Sequence, residues 1–417
     1  MSFSRINLWS EGDIPTVRVM SRLLNDMVGQ GNCHTKLIGA LDWESLLHGL
    51  NIFCRVCDPR YSWLPAYLKK NNVPYVFYLD DNLWKITGSG ELARHYQSSG
   101  VVSTLDGFVR GAEFVITHNQ VMVEFIESRF PEVLCKLLPV PFDVSLTDVK
   151  SKDFSSSLSN KPVVGYAGSY KEEEFKLLEK VINQFGRDRP EVRFEFVGGI
   201  SDNLRSLNNV QWFPGFSDYA AFLSFKMSRN WSVGLAPLMD SGFNAAKTNN
   251  KFREYGGCRI PAVYSRTSPY VECVSQEESG LLVENTVDAW VSAIKRLVDD
   301  SGLRDRIKKS AFAFVEFNYS HQAVSPAWRE ALDTVADSTR MKRFARLRFN
   351  HVKRYYLDGY GTNAVALENA NLPSLCKFLL RNAVGSLFAK ITIRRVFAIL
   401  ILFMLMVTNF YLIKAGF

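Results

Sequence analysis

Val233 to Ser265 reads VGLAPLMDSGFNAAKTNNKFREYGGCRIPAVYS. An apolar run ends at Pro237, a loop carrying Asn244 and Lys247 follows, and a helix begins near Asn249. On that helix Lys251 and Glu254 stand three residues apart and share a face. A second apolar run, Pro261 to Ser265, closes the unit. Strand, helix and strand in this order predict a parallel sheet. A helix start with free N–H groups and nearby lysines suits a diphosphate. A carboxylate that accepts two hydrogen bonds suits a ribose diol.

The same rhythm extends on both sides. Val163 to Tyr166, Arg193 to Val197, Val210 to Phe213 and Leu281 to Val283 read as strands. The helical periods Glu172 to Phe185, Tyr219 to Met227 and Val287 to Asp299 lie among them. Before residue 150 the alternation is repeated: strands Arg5 to Trp9, Thr35 to Ile38, Asn51 to Cys57, Pro74 to Leu79 and Phe114 to Thr117, with helices Val17 to Val28, Trp63 to Lys70 and Val121 to Arg129. Residues 151–161 lose apolar periodicity and gather Ser and Lys, as a linker does. The expected organisation is residues 1–150 as one Rossmann-like domain, 162–337 as a second with a final helix carrying Trp328 back to the first, and a tail. Ligands of such sheets bind beyond the strand carboxyl ends, so two of them face each other across a cleft.

At 417 residues and 47% hydrophobic content, the chain is long enough for two α/β cores. The net charge of +8 is unevenly placed. Residues 338–417 hold 13 Lys or Arg against 2 acids, and residues 1–337 hold 37 against 40. The body therefore has no general polyanion-binding excess, and no nucleic-acid partner is expected. Seven scattered cysteines read as buried thiols of a reducing compartment. Cys54 and Cys57 have no second pair at zinc spacing, so neither a metal nor a cofactor is expected.

The quoted stretch resembles the GT-B glycosyltransferases, specifically the large retaining family of bacterial surface-polysaccharide and lipopolysaccharide enzymes (family 4, group 1). The resemblance is good from Val163 to Trp328. It implies an α/β GT-B fold of two Rossmann-like domains facing a cleft, and transfer from a nucleotide-sugar donor to a lipid-linked or cell-surface glycan acceptor, with retention and without metal. Glu254, followed by GGCRIPAVYS, matches the second Glu of the family's motif and by implication holds the ribose hydroxyls. The first Glu falls at Ala246 and is absent. Asn244, Lys247, Asn249 and Lys251 complete the implied donor loop, with Lys247 and Lys251 facing the diphosphate; Lys247, Glu254 and His118 form the candidate catalytic set. Two other readings share the fold: a catalytically inactive scaffold, favoured by Ala246, and a sugar-nucleotide epimerase.

Further donor contacts are expected at Gly168, Ser169 and Lys171, after the first strand of the second domain, and at Gly198, Gly199 and Phe216, where the family cradles the base. These glycines are also ordinary turn residues. In the first domain Asp80 and Asp81 follow a strand as candidate acceptor ligands, with a helix cap as the other reading for one of them. His118 follows another strand, as a cleft donor or as a core histidine.

The tail reads as membrane-associated. Residues 340–354 carry seven Lys or Arg and no acid, interleaved with apolar residues that include Phe349. Residues 338–395 form the basic amphipathic region. Residues 396–413 are 18 uncharged residues, ~27 Å as a helix against ~30 Å of hydrocarbon. The expected partner is an anionic membrane contacted through residues 340–413. With no apolar run at the start to act as a secretory signal and positive charge ahead of Val396, the expected location is the cytoplasmic face of the inner cell membrane.

Overall fold

The computed structural model describes residues 3–147 and 161–335, together with Phe349, Asn350, Val352, Lys353 and Leu357. All of these fall within one compact unit. The linker from 148 to 160, nearly all of the basic region and the 396–413 run lie outside the described residues.

Two six-stranded sheets organise the chain. The first contains β1 (Ile6–Ser10), β2 (Cys33–Leu37), β3 (Leu50–Cys54), β4 (Tyr75–Tyr78), β5 (Phe114–Thr117) and β6 (Cys135–Leu137), in the order β2-β1-β3-β4-β5-β6. The second contains β7 (Val163–Gly168), β8 (Arg193–Gly198), β9 (Val210–Phe213), β10 (Val233–Ala236), β11 (Ala262–Ser265) and β12 (Leu281–Val283), in the order β12-β11-β10-β7-β8-β9. Every ladder in both is parallel. Strands such as YVFY and FVIT are buried along their whole length, as parallel strands covered by helices on both faces must be. The order reverses beside β1 in the first sheet and beside β7 in the second, and these are the places where a crevice opens.

Several polar side chains inside these sheets are paired. Asn7 on β1 donates to the carbonyls of Ser45 and His48, and Trp9 Nε1 donates to Asn51 Oδ1 on β3. In the second sheet, buried Glu195 on β8 accepts from Trp231 Nε1 at 2.9 Å and pairs with Arg229. Gly165 on β7 makes room for that indole, since a Cβ there would lie 1.9 Å from the Trp231 ring.

The sequence reading stopped the first sheet at Phe114 to Thr117. The structure adds β6, a three-residue edge strand with no fully buried residue, too short for an apolar pattern to reveal. It also adds helices at Glu91–Gln97 and Ser99–Gly111, in a Gly- and Ser-rich stretch.

After helix Ser301–Tyr319, helix His321–Asp333 lays Val324, Trp328, Ala331 and Leu332 into the core of the first sheet. Trp328 is fully buried, donates from Nε1 to the Pro139 carbonyl at 2.9 Å and stacks on Tyr78. Further on, Phe349 is fully buried, with ring centroids 5.6–5.7 Å from Trp43, Trp63 and Tyr67 of the first domain, and Lys353 Nζ donates to the Leu41 carbonyl. This corrects the placement of Phe349 on a lipid-facing stripe. Three aromatic faces of its own chain remove it from contact with anything else.

Trp328→Ala should remove the indole that closes the first core, at a cost of about 3–5 kcal/mol. Urea melts that place the midpoint where the parent has it would contradict this packing.

Candidate active site

The carboxyl ends of β1, β3 and β4 face those of β7 and β10 across a cleft of about 570 Å³. Ser10, Glu11, Arg55, Asp80 and Asp81 line its first-domain wall. Gly168, Ser169, Lys171, Lys247, Asn250, Lys251 and Glu254 line the other. Both walls begin at the reversal points of their sheets.

The second-domain wall is cationic. Lys251, one residue into helix Asn250–Gly257, is half-buried. Its Nζ donates to the Ala167 carbonyl and lies 4.4 Å from the Tyr166 ring centre. Burial, assisted by Lys171, pushes the Lys251 ammonium down to about 8, against the pull of Glu254 and Glu174. Lys171 pairs with buried Glu174 at 3.0 Å. Gly168 has φ +155°, and a Cβ there would lie 2.8 Å from Lys251 Nζ, so glycine keeps the turn open beside the lysine.

Glu254 lines the same wall. Its Oε2 accepts from Lys226 Nζ at 2.8 Å and its Oε1 from the Tyr219 hydroxyl at 3.3 Å. Burial pushes its carboxyl up, but Lys226, Lys251 and Arg253 outweigh that, so the group stays below the ordinary carboxylate value and ionised. Its remaining lone pairs are available to a diol.

The first-domain wall is acidic around one arginine. Arg55, at φ +55° just past β3, reaches Asp80 Oδ1 at 3.4 Å and Asp81 Oδ2 at 3.2 Å. Thr16 donates to Asp80 Oδ2 at 2.8 Å. Glu11 Oε1 accepts from the Cys57 and Asp58 N–H groups at 2.6 Å each. Neither acid of the DD pair caps a helix. Arg55, Glu11 and Lys226 were missed by the sequence reading. Arg55 and Glu11 follow strand ends, which was the available signal; nothing local marks Lys226 as a buried cation, since a lysine in the last turn of a helix is ordinary.

Several expected site residues are elsewhere. His118 is not in the cleft wall: Nδ1 contacts the Leu138 carbonyl and Nε2 the Tyr78 hydroxyl, each at 2.5 Å, and its ring lies against Tyr78 and Trp328. Burial pushes it down to about 3, so it is a neutral core histidine. Asn244 donates to the Met239 carbonyl and Asn249 to the Tyr319 hydroxyl, fixing the loop between β10 and the next helix. Asn250 lines the wall instead. Gly198 and Gly199 support the Gly168 turn from behind. Gly199 N donates to the Gly168 carbonyl at 2.7 Å, and a Cβ on Gly199 would meet Tyr170 N at 2.0 Å. Phe216 does not itself line the cleft but packs on Phe222, which does, and on Phe225.

Two parallel sheets of this order, facing each other across a cleft, form the GT-B fold. The second domain is of the group 1 kind, since residues 161–300 match the family described as glycosyl transferases group 1. Among solved structures, the Anabaena protein Alr3699/HepE in complex with UDP and glucose aligns with TM-score 0.61 and 14% identity, over 79% of this chain and 100% of that one. The sucrose-phosphate synthase of Thermosynechococcus elongatus aligns with TM-score 0.60 and 14% identity over the same shares. A glycosyltransferase from Rickettsia africae aligns with TM-score 0.54 and 13% identity, over 79% and 98%. No curated protein matches the chain by sequence. The chain thus has the fold of these proteins, and its second domain matches a family of glycosyl transferases.

An unfolded histidine takes its proton near 6.5, whereas folded His118 takes it at about 3. Stability supplied by the neutral ring is present above pH 6.5 and is lost as pH falls toward 3. Urea melts across that window should slope less steeply for His118→Gln; an unchanged slope would place the titrating group elsewhere.

Proposed function

We propose that the chain transfers a sugar from a nucleotide-sugar donor to a hydroxyl of a lipid-linked or surface-glycan acceptor, without metal and with retention at the anomeric carbon. The carrying observation is the pairing of a cationic wall with an acidic one. Lys251, Lys247 and the Gly168 turn suit a diphosphate, Glu254 suits the ribose diol, and Asp80 and Asp81 suit acceptor hydroxyls. The Anabaena structure of the same fold contains UDP and glucose.

The proposed chemistry breaks the bond from the anomeric carbon to the diphosphate oxygen, which leaves with the electron pair. A bond to the acceptor oxygen forms, and the acceptor's hydroxyl proton passes to the departing diphosphate oxygen. The lysine ammoniums neutralise the charge that grows on the departing diphosphate, which lowers the barrier because they are in place beforehand. Retention rests on the resemblance to the group 1 family. Attachment to the cytoplasmic face of the inner membrane through residues 340–413 rests on the charge and apolarity of those residues, and it suits a lipid-linked acceptor.

One observation favours an inactive scaffold instead. Ala246, at the position of the family's first glutamate, is 2% exposed and offers the sugar no carboxylate. Turnover of donor by purified protein in detergent decides between the two readings, because a scaffold binds the nucleotide and never releases sugar from it.

Thermal-shift assays with UDP, GDP and ADP should find one that raises the melting temperature. Glu254→Ala and Lys251→Ala should each weaken that response about 10- to 150-fold in apparent affinity, as loss of a charged hydrogen bond of about 1.5–3 kcal/mol implies. Full responses in both variants would remove the donor from this wall. Below pH 8 Lys251 is charged, and above it the charge is lost. Affinity for the same nucleotide should therefore fall as pH rises from about 7 to about 9, and Lys251→Arg, which stays charged, should flatten that fall. An equal fall in both proteins would assign the titration to another group.

A further inference from the structure

One ion pair joins the two walls. Lys247 Nζ lies 3.3 Å from Asp81 Oδ1, and the two side chains are 20% and 18% exposed. The main chain at Lys247 is separately held on the first domain. Asn119, buried at the start of helix Gln120–Arg129, uses Oδ1 to cap Met122 N, and its Nδ2 donates to the carbonyls of Lys247 at 2.8 Å and Ala245 at 3.3 Å. The loop backbone is therefore pinned by an amide, whereas the Lys247 ammonium, on its four-carbon stem over the Phe243 ring at 4.1 Å, is tied to the first domain by one charged hydrogen bond to Asp81.

We propose that Asp81 and Lys247 form an exchange latch: the donor's diphosphate draws Lys247 off Asp81, and the carboxylate oxygen so released receives the acceptor's hydroxyl. This rests on the donor reading above and deepens it by adding an order of binding. A diphosphate offers Lys247 more negative charge and more acceptor oxygens than one carboxylate does. After Lys247 leaves, Asp81 keeps Arg55 at 3.2 Å on its other oxygen, so it stays anchored. Until then Oδ1 is occupied, and an acceptor hydroxyl competes with an ammonium for it. Donor binding thus raises acceptor affinity, and by linkage acceptor binding raises donor affinity equally. The group admitted is a hydroxyl and not a phosphate, because Asp80 and Asp81 already share Arg55 and Glu11 adds a further carboxylate to the same wall.

The test is titration calorimetry of the full chain with UDP, GDP and ADP, each alone, on the parent and on Asp81→Asn. The parent binds one of them. Asp81→Asn should bind the same nucleotide about 3- to 5-fold tighter, the worth of a partly exposed ion pair that no longer competes, while transfer to acceptor falls. Asp81→Ser should also tighten it and guards against misfolding of one variant. Asp80→Asn, which leaves the Lys247 contact in place, should not. Lys247→Ala should weaken binding and abolish the gain from Asp81→Asn in the double variant. Unchanged or weaker binding in both Asp81 variants, with the parent binding normally, overturns the latch alone. Absence of binding by the parent to all three nucleotides overturns the donor reading itself.

Discussion

An ammonium with none of its surface in water survives only beside a carboxylate, and Lys226 meets that constraint at Glu254. The pair ties helix Tyr219–Ser228 to helix Asn250–Gly257, from different segments of the second domain. Phe222 and Tyr255 enclose the ammonium, with ring centres 4.3 and 5.6 Å away. Because Glu254 is so fixed, Lys251 one turn earlier is fixed as well, under the Gly168 turn. The direction in which the carboxylate faces follows from seating this one charge pair, while the lysine's depressed proton affinity comes from its own burial and from Lys171.

The two walls divide the electrostatic work. Lysines gather on the second domain beside β7 and β10, and acids gather on the first beside β1, β3 and β4. Each set stands at the ends of parallel strands, where side chains leave the sheet without interrupting a ladder. A substrate with a negative middle and a neutral, hydroxyl-bearing partner is oriented by such a field before any specific contact is made. That division agrees with a group 1 glycosyltransferase domain standing opposite a domain of its own kind.

Much of this was legible in the sequence. The parallel sheets announced themselves because their strands are covered on both faces and read as short apolar runs between helical periods. Lys251 and Glu254 were legible because helical spacing puts them on one face, and Asp80 and Asp81 because they directly follow a strand. His118 has the same local signature as those acids, yet it turns inward to Tyr78 and Trp328, and only the return of a helix some two hundred residues later decides this. Asn244 and Asn249 looked like ligands but spend their amides on neighbouring loop carbonyls and on Tyr319. Lys226 and Arg55 gave little warning, since a buried or half-buried cation is defined by partners distant in sequence.

The Phe349 ring, seated among Trp43, Trp63 and Tyr67, ends the described chain on the first domain and not on the second. The chain therefore reaches Lys353, whose ammonium donates to the Leu41 carbonyl, on the domain that carries the acidic wall.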